Sequence, residues 1–114
     1  MEVVERLEYE SVKIGRVIFA KLSEGEELIE SIKEIASKEK IKFGVFFLVG
    51  TLRKATFGFY HPEMCPVTME EPLEITSCIG NIVEKDEEVK VHAHINITDS
   101  KLYCYGGHCC LDAR

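Results

Sequence analysis

Three histidines have the residue type and the spacing to hold a metal ion, and two of them lie in one predicted strand. His92 and His94 are two residues apart in a segment, residues 89–98, whose alternating pattern predicts a β-strand. Because side chains alternate between the two faces of a strand, both imidazoles project from the same face, roughly 7 Å apart. At this spacing they can bind one ion. The intervening positions are apolar and predict the face that packs on the core: Val91, Ala93, Ile95 and Ile97.

The third histidine, His108, comes from the strand that follows. Asp99-Ser100 predicts a tight turn, so that the two strands form a hairpin. The simplest register of that hairpin places His108 opposite Val91, on the core face. Gly106-Gly107 resolves the conflict if one of the two is the extra residue of a β-bulge, where glycine tolerates a positive φ. The bulge would bring His108 beside His92.

Three imidazoles with an open fourth position form a known zinc arrangement, which activates water or polarises a carbonyl. The sequence therefore predicts a zinc site made by His92, His94 and His108. A plainer interpretation stays open at this point. Histidine pairs on the polar face of a strand are often only solvated surface, and glycine pairs also occur in ordinary turns.

The cysteines form a competing set of ligands, because three of them lie close to His108 in the chain: Cys104, Cys109 and Cys110. Free cysteine is among the most often buried residues, so packing is the favoured explanation for these thiols and for Cys78. The fourth histidine, His61, lies in a segment with two prolines, residues 61–66, that is predicted to be a loop. We expect His61 to be solvated.

One helix and several strands must position these side chains. Ser23 and Glu26 have the spacing of a capping box, and apolar residues then recur at helical spacing: Leu28, Ile29, Ile32, Ile35 and Ala36. The polar face of this helix has mixed charge, which favours packing on a sheet over membrane binding. Strand patterns cover residues 12–22, 41–52, 55–60, 73–83, 89–98 and 102–105, with a polar turn at 86–88. The order of elements predicts an α+β fold with a mostly antiparallel sheet.

Size and charge exclude several classes of protein. The chain has 114 residues and a net charge of −6, and we expect one domain over residues 1–114. This charge is unfavourable for autonomous nucleic-acid binding, in which phosphate neutralisation supplies most of the affinity. No segment approaches the roughly 20 apolar residues of a membrane-spanning helix, and the N-terminus lacks a signal-peptide pattern. The cysteines, five in number and therefore odd, are expected to be reduced in a cytoplasmic protein.

An ordered set of segments resembles the plant-and-prokaryote-conserved (PPC) domain family. The set consists of Glu-Ile…Gly-Asn-Ile at 74–82, His-Ala-His at 92–94 and Gly-Gly-His at 106–108, with further agreement at 19–28 and 43–52. The resemblance covers nearly the whole chain. It implies a single α+β domain that assembles as a homotrimer and has a fold similar to acetolactate decarboxylase, which binds zinc through three histidines. The family's histidine triad corresponds here to His92, His94 and His108.

The resemblance also brings a functional label. Stand-alone prokaryotic members are commonly labelled DNA-binding, whereas plant members join the domain to AT-hook segments that bind the minor groove. This sequence has no Arg-Gly-Arg-Pro core, so that DNA function does not carry over.

The sequence departs from the family pattern in three places. Lys21 stands where members usually carry Arg, and Cys109-Cys110 replaces the usual apolar residue after the histidine. Members also continue with at least one more strand, whereas this chain stops at Arg114. Either the protein is naturally short or the chain is truncated, which affects the sheet edge and the trimer contacts.

Three functions stay open on the sequence alone. The first is a homotrimeric metal-binding module whose ligand is unknown. The second is a metal-dependent lyase or hydrolase of a small acid, with Glu74 as the candidate general acid or base, although a surface glutamate is the simpler explanation. The third is a DNA-associated regulator, which the family label favours and the charge opposes. The residues rank the first ahead of the others and assign no enzymatic activity.

Overall fold

The computed structural model describes residues 6–114, which form one helix and four strands. These are α1 (Leu28–Lys38), β1 (Phe43–Tyr60), β2 (Met64–Lys85), β3 (Glu88–Thr98) and β4 (Cys104–Cys109). Each strand pairs antiparallel with the next, and β4 pairs back with β1 at two positions, so the sheet closes on itself. The predicted α+β class with an antiparallel sheet is confirmed.

The start of α1 differs slightly from the predicted capping box. The Ser23 backbone N–H donates to the Glu26 carboxylate over 3.1 Å, but Gly25 has a φ of 87°, so this bond closes a turn that precedes the helix. Glu27 is the N-cap instead, and its carboxylate accepts from the backbone N–H of Glu30 over 2.7 Å. The predicted apolar stripe is the buried face of the helix: Leu28, Ile29, Ile32 and Ala36.

The core lies between this helix and the inner face of the sheet. From β3 it receives the alternating residues predicted for that face, and Ile97 is fully buried. The other strands and the C-terminal segment complete the same cluster: Leu52, Ala55, Phe57, Leu73, Ile75, Cys78, Cys109 and Ala113. Since the inner positions of β3 are buried in this way, the residues between them must face outward.

The predicted strand at residues 12–22 is not found. Its apolar residues do alternate, but no neighbouring segment within residues 6–114 pairs with it, and nearly all of its side chains are exposed. Alternating apolar residues suit a strand with one buried face, but a strand also needs a neighbouring strand to accept and donate its backbone hydrogen bonds. No helix in the described part of the chain is long and apolar enough to cross a bilayer.

Two predicted boundaries are also wrong. The separate strands predicted at 41–52 and 55–60 are one continuous strand, β1, with irregular register near Gly50 and Arg53. Half of the predicted loop at 61–66 is strand, because β2 already begins at Met64 and residues 61–63 form the turn. Pro66 favoured a loop in the sequence-based prediction, because proline has no backbone N–H to donate within a sheet. It is accommodated opposite Gly58, where the missing side chain lets the two backbones approach closely.

Candidate metal centre

The structure brings the three predicted histidines together on the outer face of the sheet. One ring nitrogen from each lies within 4.8 Å of the others. The closest pair is His92 Nε2 and His108 Nδ1, which are 3.1 Å apart, and the ring centre of His94 lies 5.0 Å from that of His92. His92 and His94 are exposed and His108 is half-buried. No other group of three potential ligands within residues 6–114 is this compact.

Backbone pairing between three strands holds these side chains in place. His94 on β3 is directly opposite His108 on β4, and His92 lies two residues along β3 on the same face. Opposite residues of an antiparallel pair have Cα atoms about 4.5–5.5 Å apart, which is a distance that two imidazoles readily bridge. His108 is in addition opposite Gly58 of β1, so β4 is held on both sides at the histidine.

The same three histidines converge as predicted, but the predicted two-residue turn and glycine bulge that would bring His108 to this face are wrong. The connection between β3 and β4 is a loop of residues 99–103, and no bulge interrupts the register from Thr98–Cys104 to His94–His108. The Asp99 carboxylate organises this loop by accepting from the backbone N–H groups of Lys101 and Tyr103 over 2.9 and 3.0 Å. A five-residue loop shifts the register by three positions relative to a two-residue turn. An odd shift moves every side chain to the other face, and it is this shift that turns His108 outward.

The two glycines before His108 provide room for neighbouring groups and do not form a bulge. A Cβ atom at Gly106 would collide with Oδ1 of Asn96, whose side chain lies across β4 and donates to Ser77 Oγ over 3.3 Å. A Cβ atom at Gly107 would lie 2.6 Å from the carbonyl oxygen of Gly58. The first glycine therefore admits a side chain from β3, and the second admits the backbone of β1.

The surroundings of His108 favour its neutral form. Partial burial lowers the pKa of His108, and the neighbouring His92 and His94 lower it further, since charged rings at this distance repel one another. A metal ion binds the neutral form of imidazole. At His108, the proton that would compete with a cation is therefore disfavoured.

The donor set fits a borderline divalent cation such as zinc. Tetrahedral zinc with Zn–N bonds of about 2.0–2.1 Å places its nitrogen ligands about 3.3 Å apart. One pair is already at 3.1 Å, and all three nitrogens lie within 4.8 Å, so small side-chain rotations would complete the set. Calcium and magnesium prefer oxygen ligands, and no carboxylate within residues 6–114 belongs to this cluster.

Within residues 6–114, none of the competing cysteine ligands joins the histidine cluster. Cys78 and Cys109 belong to the core, as packing predicts, and burial raises their pKa values to about 11 and about 12. Cys110 is half-buried. Cys104, by contrast, is exposed, so the prediction that it packs in the core is wrong, and its thiol lies 3.4 Å from the Thr98 hydroxyl.

Glu74 and His61 are not brought to the triad. Glu74 is exposed on β2 opposite Thr98, which is four residues from His94 on β3. At 3.3 Å per residue this corresponds to about 13 Å, which is too far for proton exchange with a group bound at the histidines. His61 is exposed in the turn before β2, as expected.

Two neighbours of the triad were not predicted. Asn81 on β2 is directly opposite His92, and Ile79 is directly opposite His94. The turn between β2 and β3 contained the signal that could have found them. Asp86 and Glu87 form a two-residue connection with positive φ angles of 53° and 64°, which is the geometry of a type I′ hairpin, and counting back from that turn gives both pairs.

Comparison with known proteins identifies the family. The model of the Plants and Prokaryotes Conserved (PCC) domain, the family also written PPC, matches residues 9–113. The chain belongs to this family. The matched range includes all three histidines of the PCC domain described above and confirms the resemblance inferred from the ordered motifs.

Solved structures resemble this PCC domain in fold. A PPC protein of Pyrococcus horikoshii is 32% identical with a TM-score of 0.71, over 79% of this chain and 65% of that one. A protein of Bacteroides thetaiotaomicron, provisionally named DNA-binding, is 25% identical with a TM-score of 0.76, over 81% and 65%. The metal-containing protein of Archaeoglobus fulgidus is 28% identical with a TM-score of 0.74, over 90% and 78%. The chain thus spans less than two thirds of the first two proteins. None of the curated proteins matches it significantly.

Proposed function

We propose that this PCC domain is a homotrimeric metal-binding protein that holds one zinc or similar divalent ion per chain at His92, His94 and His108. The observation that carries the proposal is the approach of three ligand nitrogens to within 4.8 Å on one sheet face. The metal-containing name of the Archaeoglobus fulgidus protein supports it. When bound, a zinc ion with an open fourth position polarises a carbonyl or lowers the pKa of water.

The contribution of the chain itself is to hold three imidazoles close together before the ion arrives. His94 and His108 are fixed by pairing between β3 and β4, and His92 by its place on the same strand as His94. The half-burial of His108 lowers its pKa, so less proton release is needed when the cation binds. Five free thiols are consistent with a cytoplasmic location, where cysteines stay reduced.

The trimer is supported by apolar surface that a single chain leaves exposed. Phe43, Val45, Phe47 and Val49 on β1 are each between 70 and 85% exposed. Monomeric proteins rarely leave such a patch in contact with water. Sedimentation equilibrium is expected to return about three times the chain mass, and a monomer mass at every concentration would contradict the trimer.

Zinc stoichiometry tests the metal site. Purified chain dialysed against zinc is expected to retain about one ion, and the His92→Ala/His94→Ala variant to retain none, because a single imidazole cannot hold the ion tightly. The matched control is His61→Ala, which removes an exposed histidine outside the cluster and should leave the zinc content unchanged. Equal zinc content in the double variant and the wild type would refute the site.

A DNA-associated role is the second candidate, because similar proteins from Bacteroides thetaiotaomicron and Ralstonia eutropha are provisionally named DNA-binding. The charge of this chain, −6, opposes it. On α1, Lys33 and Lys38 each lie within 4 Å of a helix glutamate, Glu30 and Glu34 respectively, so their charge is partly compensated. A duplex would gain little from counterion release at such a surface.

A further inference from the structure

The histidines share the outer face of the sheet with a row of exposed apolar side chains. Phe47 on β1 is opposite Ile79 on β2, and Ile79 is opposite His94 on β3. Residues directly opposite one another in an antiparallel pair project from the same face. The apolar row therefore runs across two strands directly into the triad. The adjacent row runs from the apolar Val45 through the polar Asn81 to His92.

This surface, called here the apolar outer face, consists of Phe43, Val45, Phe47, Val49 and Ile79, each at least 66% exposed. With about 150–250 Å² for each of the two phenylalanines and less for each of the three aliphatic side chains, the five together expose on the order of 600 Å². This lies at the upper end of the largest patches on monomers. It approaches the about 800 Å² that each partner buries in a standard protein–protein interface.

The chemistry of this face favours a second copy of the chain as its occupant. The five side chains are uncharged, whereas a nucleic acid or an acidic lipid surface is bound through basic groups. The same chain exposes further apolar side chains that a copy could bury against this face: Val12, Ile14, Val17 and Phe19. A closed symmetric assembly would remove such surfaces from water in every subunit.

We propose that a second copy packs on the apolar outer face and at the same time covers the open side of the histidine site, so that zinc binding and self-association strengthen each other. This rests on the proposed metal-binding function. Because the three imidazoles project from the face that carries Ile79, a body packed on that side chain also lies over the triad. The effect must be reciprocal: the factor by which zinc strengthens association equals the factor by which association strengthens zinc binding.

Sedimentation velocity over a concentration series tests the linkage, with the full chain in chelator or in zinc alone. Zinc is expected to raise the association constant at least about fivefold. Ile79→Ser should weaken association and should also lower the zinc affinity at concentrations where the wild type is associated. In dilute solution its zinc affinity should equal that of the wild type, because Ile79 is not a ligand. Val67→Ser, an exposed position on β2 outside the apolar outer face, should change neither quantity.

The outcomes separate this proposal from the metal site itself. Zinc binding with an association constant that zinc does not change would overturn the linkage and leave the metal site standing. Absence of zinc binding by the wild type would overturn both. The His92→Ala/His94→Ala variant is expected to lose the response to zinc, which excludes non-specific bridging by the metal. If circular dichroism shows that Ile79→Ser is unfolded, Phe47→Ser applies the same test, and wild-type association of that variant in zinc would contradict the proposal.

Discussion

Replacing Gly107 with alanine is expected to weaken both the fold and the metal site. On conformational grounds alone, glycine to alanine within a strand stabilises a protein by about 0.5–1 kcal/mol. At Gly107 we expect the opposite sign, because the new Cβ would lie 2.6 Å from the Gly58 carbonyl oxygen. The obstacle is backbone, so a change of side-chain rotamer cannot relieve it.

The size of the effect follows from that contact. A carbon and a carbonyl oxygen in ordinary contact are about 3.3 Å apart, so β1 and β4 would have to separate by about 0.7 Å. Their pairing consists of only two residue pairs, Phe57 with Cys109 and Gly58 with His108. Overpacking of this kind costs about 1–3 kcal/mol. Because His108 is part of the same pairing, a loss of zinc affinity of about tenfold should accompany the loss of stability.

Gly106→Ala is the matched control. Its Cβ would collide with the side-chain oxygen of Asn96, which can rotate away, and would lie 3.1 Å from the Ile95 carbonyl oxygen. This backbone contact is milder than the 2.6 Å contact at Gly107, so the cost in stability should be smaller. The assays are urea unfolding of dilute protein in chelator and, separately, a zinc titration. If Gly107→Ala is at least as stable as the wild type and binds zinc equally well, the close packing of β1 on β4 does not position His108.

Three further predictions concern the thiols, acidity and DNA. A maleimide reagent should label the exposed Cys65 and Cys104 in the native protein. Cys78 and Cys109 should react only after unfolding, since burial raises the pKa of both thiols. Equal labelling rates for the two pairs would contradict the placement of Cys78 and Cys109 in the core. Zinc affinity should fall as the pH drops below about 6.5, because protons compete for imidazole nitrogens. The lowered pKa of His108 shifts this loss toward lower pH than for an unperturbed histidine, and pH-independent affinity between 5 and 8 would argue against histidine ligands. Duplex DNA should bind weakly at near-physiological salt, and a salt-resistant complex in a gel-shift titration would favour the regulatory role instead.

The alternation of β3 was enough to predict which histidines face the same way, because Ala93 and Ile95 beside them are buried in the core. The apolar stripe of α1 was predictable for the same reason. In each case, the residues that define the pattern are the residues that make the packing contacts, so periodicity and burial agree.

The register of β4 could not be obtained in this way. It depends on the length of the loop after β3, which the Asp99 carboxylate sets through bonds to two backbone N–H groups and which includes Leu102 at a φ of 68°. Asp99-Ser100 fits a two-residue turn equally well, and the difference of three residues decides the face of His108. The segment 12–22 shows a second limit. Its residues alternate as in a strand, but pairing also needs a neighbouring strand, which the local sequence does not specify.

X-ray absorption at the zinc edge tests the central claim most directly, since it reports which atoms surround the bound ion. We expect a first shell of nitrogen or oxygen scatterers at about 2.0–2.1 Å, with the outer-shell pattern of imidazole rings from His92, His94 and His108. A sulfur scatterer at about 2.3 Å would instead show that cysteines bind the metal and would contradict the histidine site.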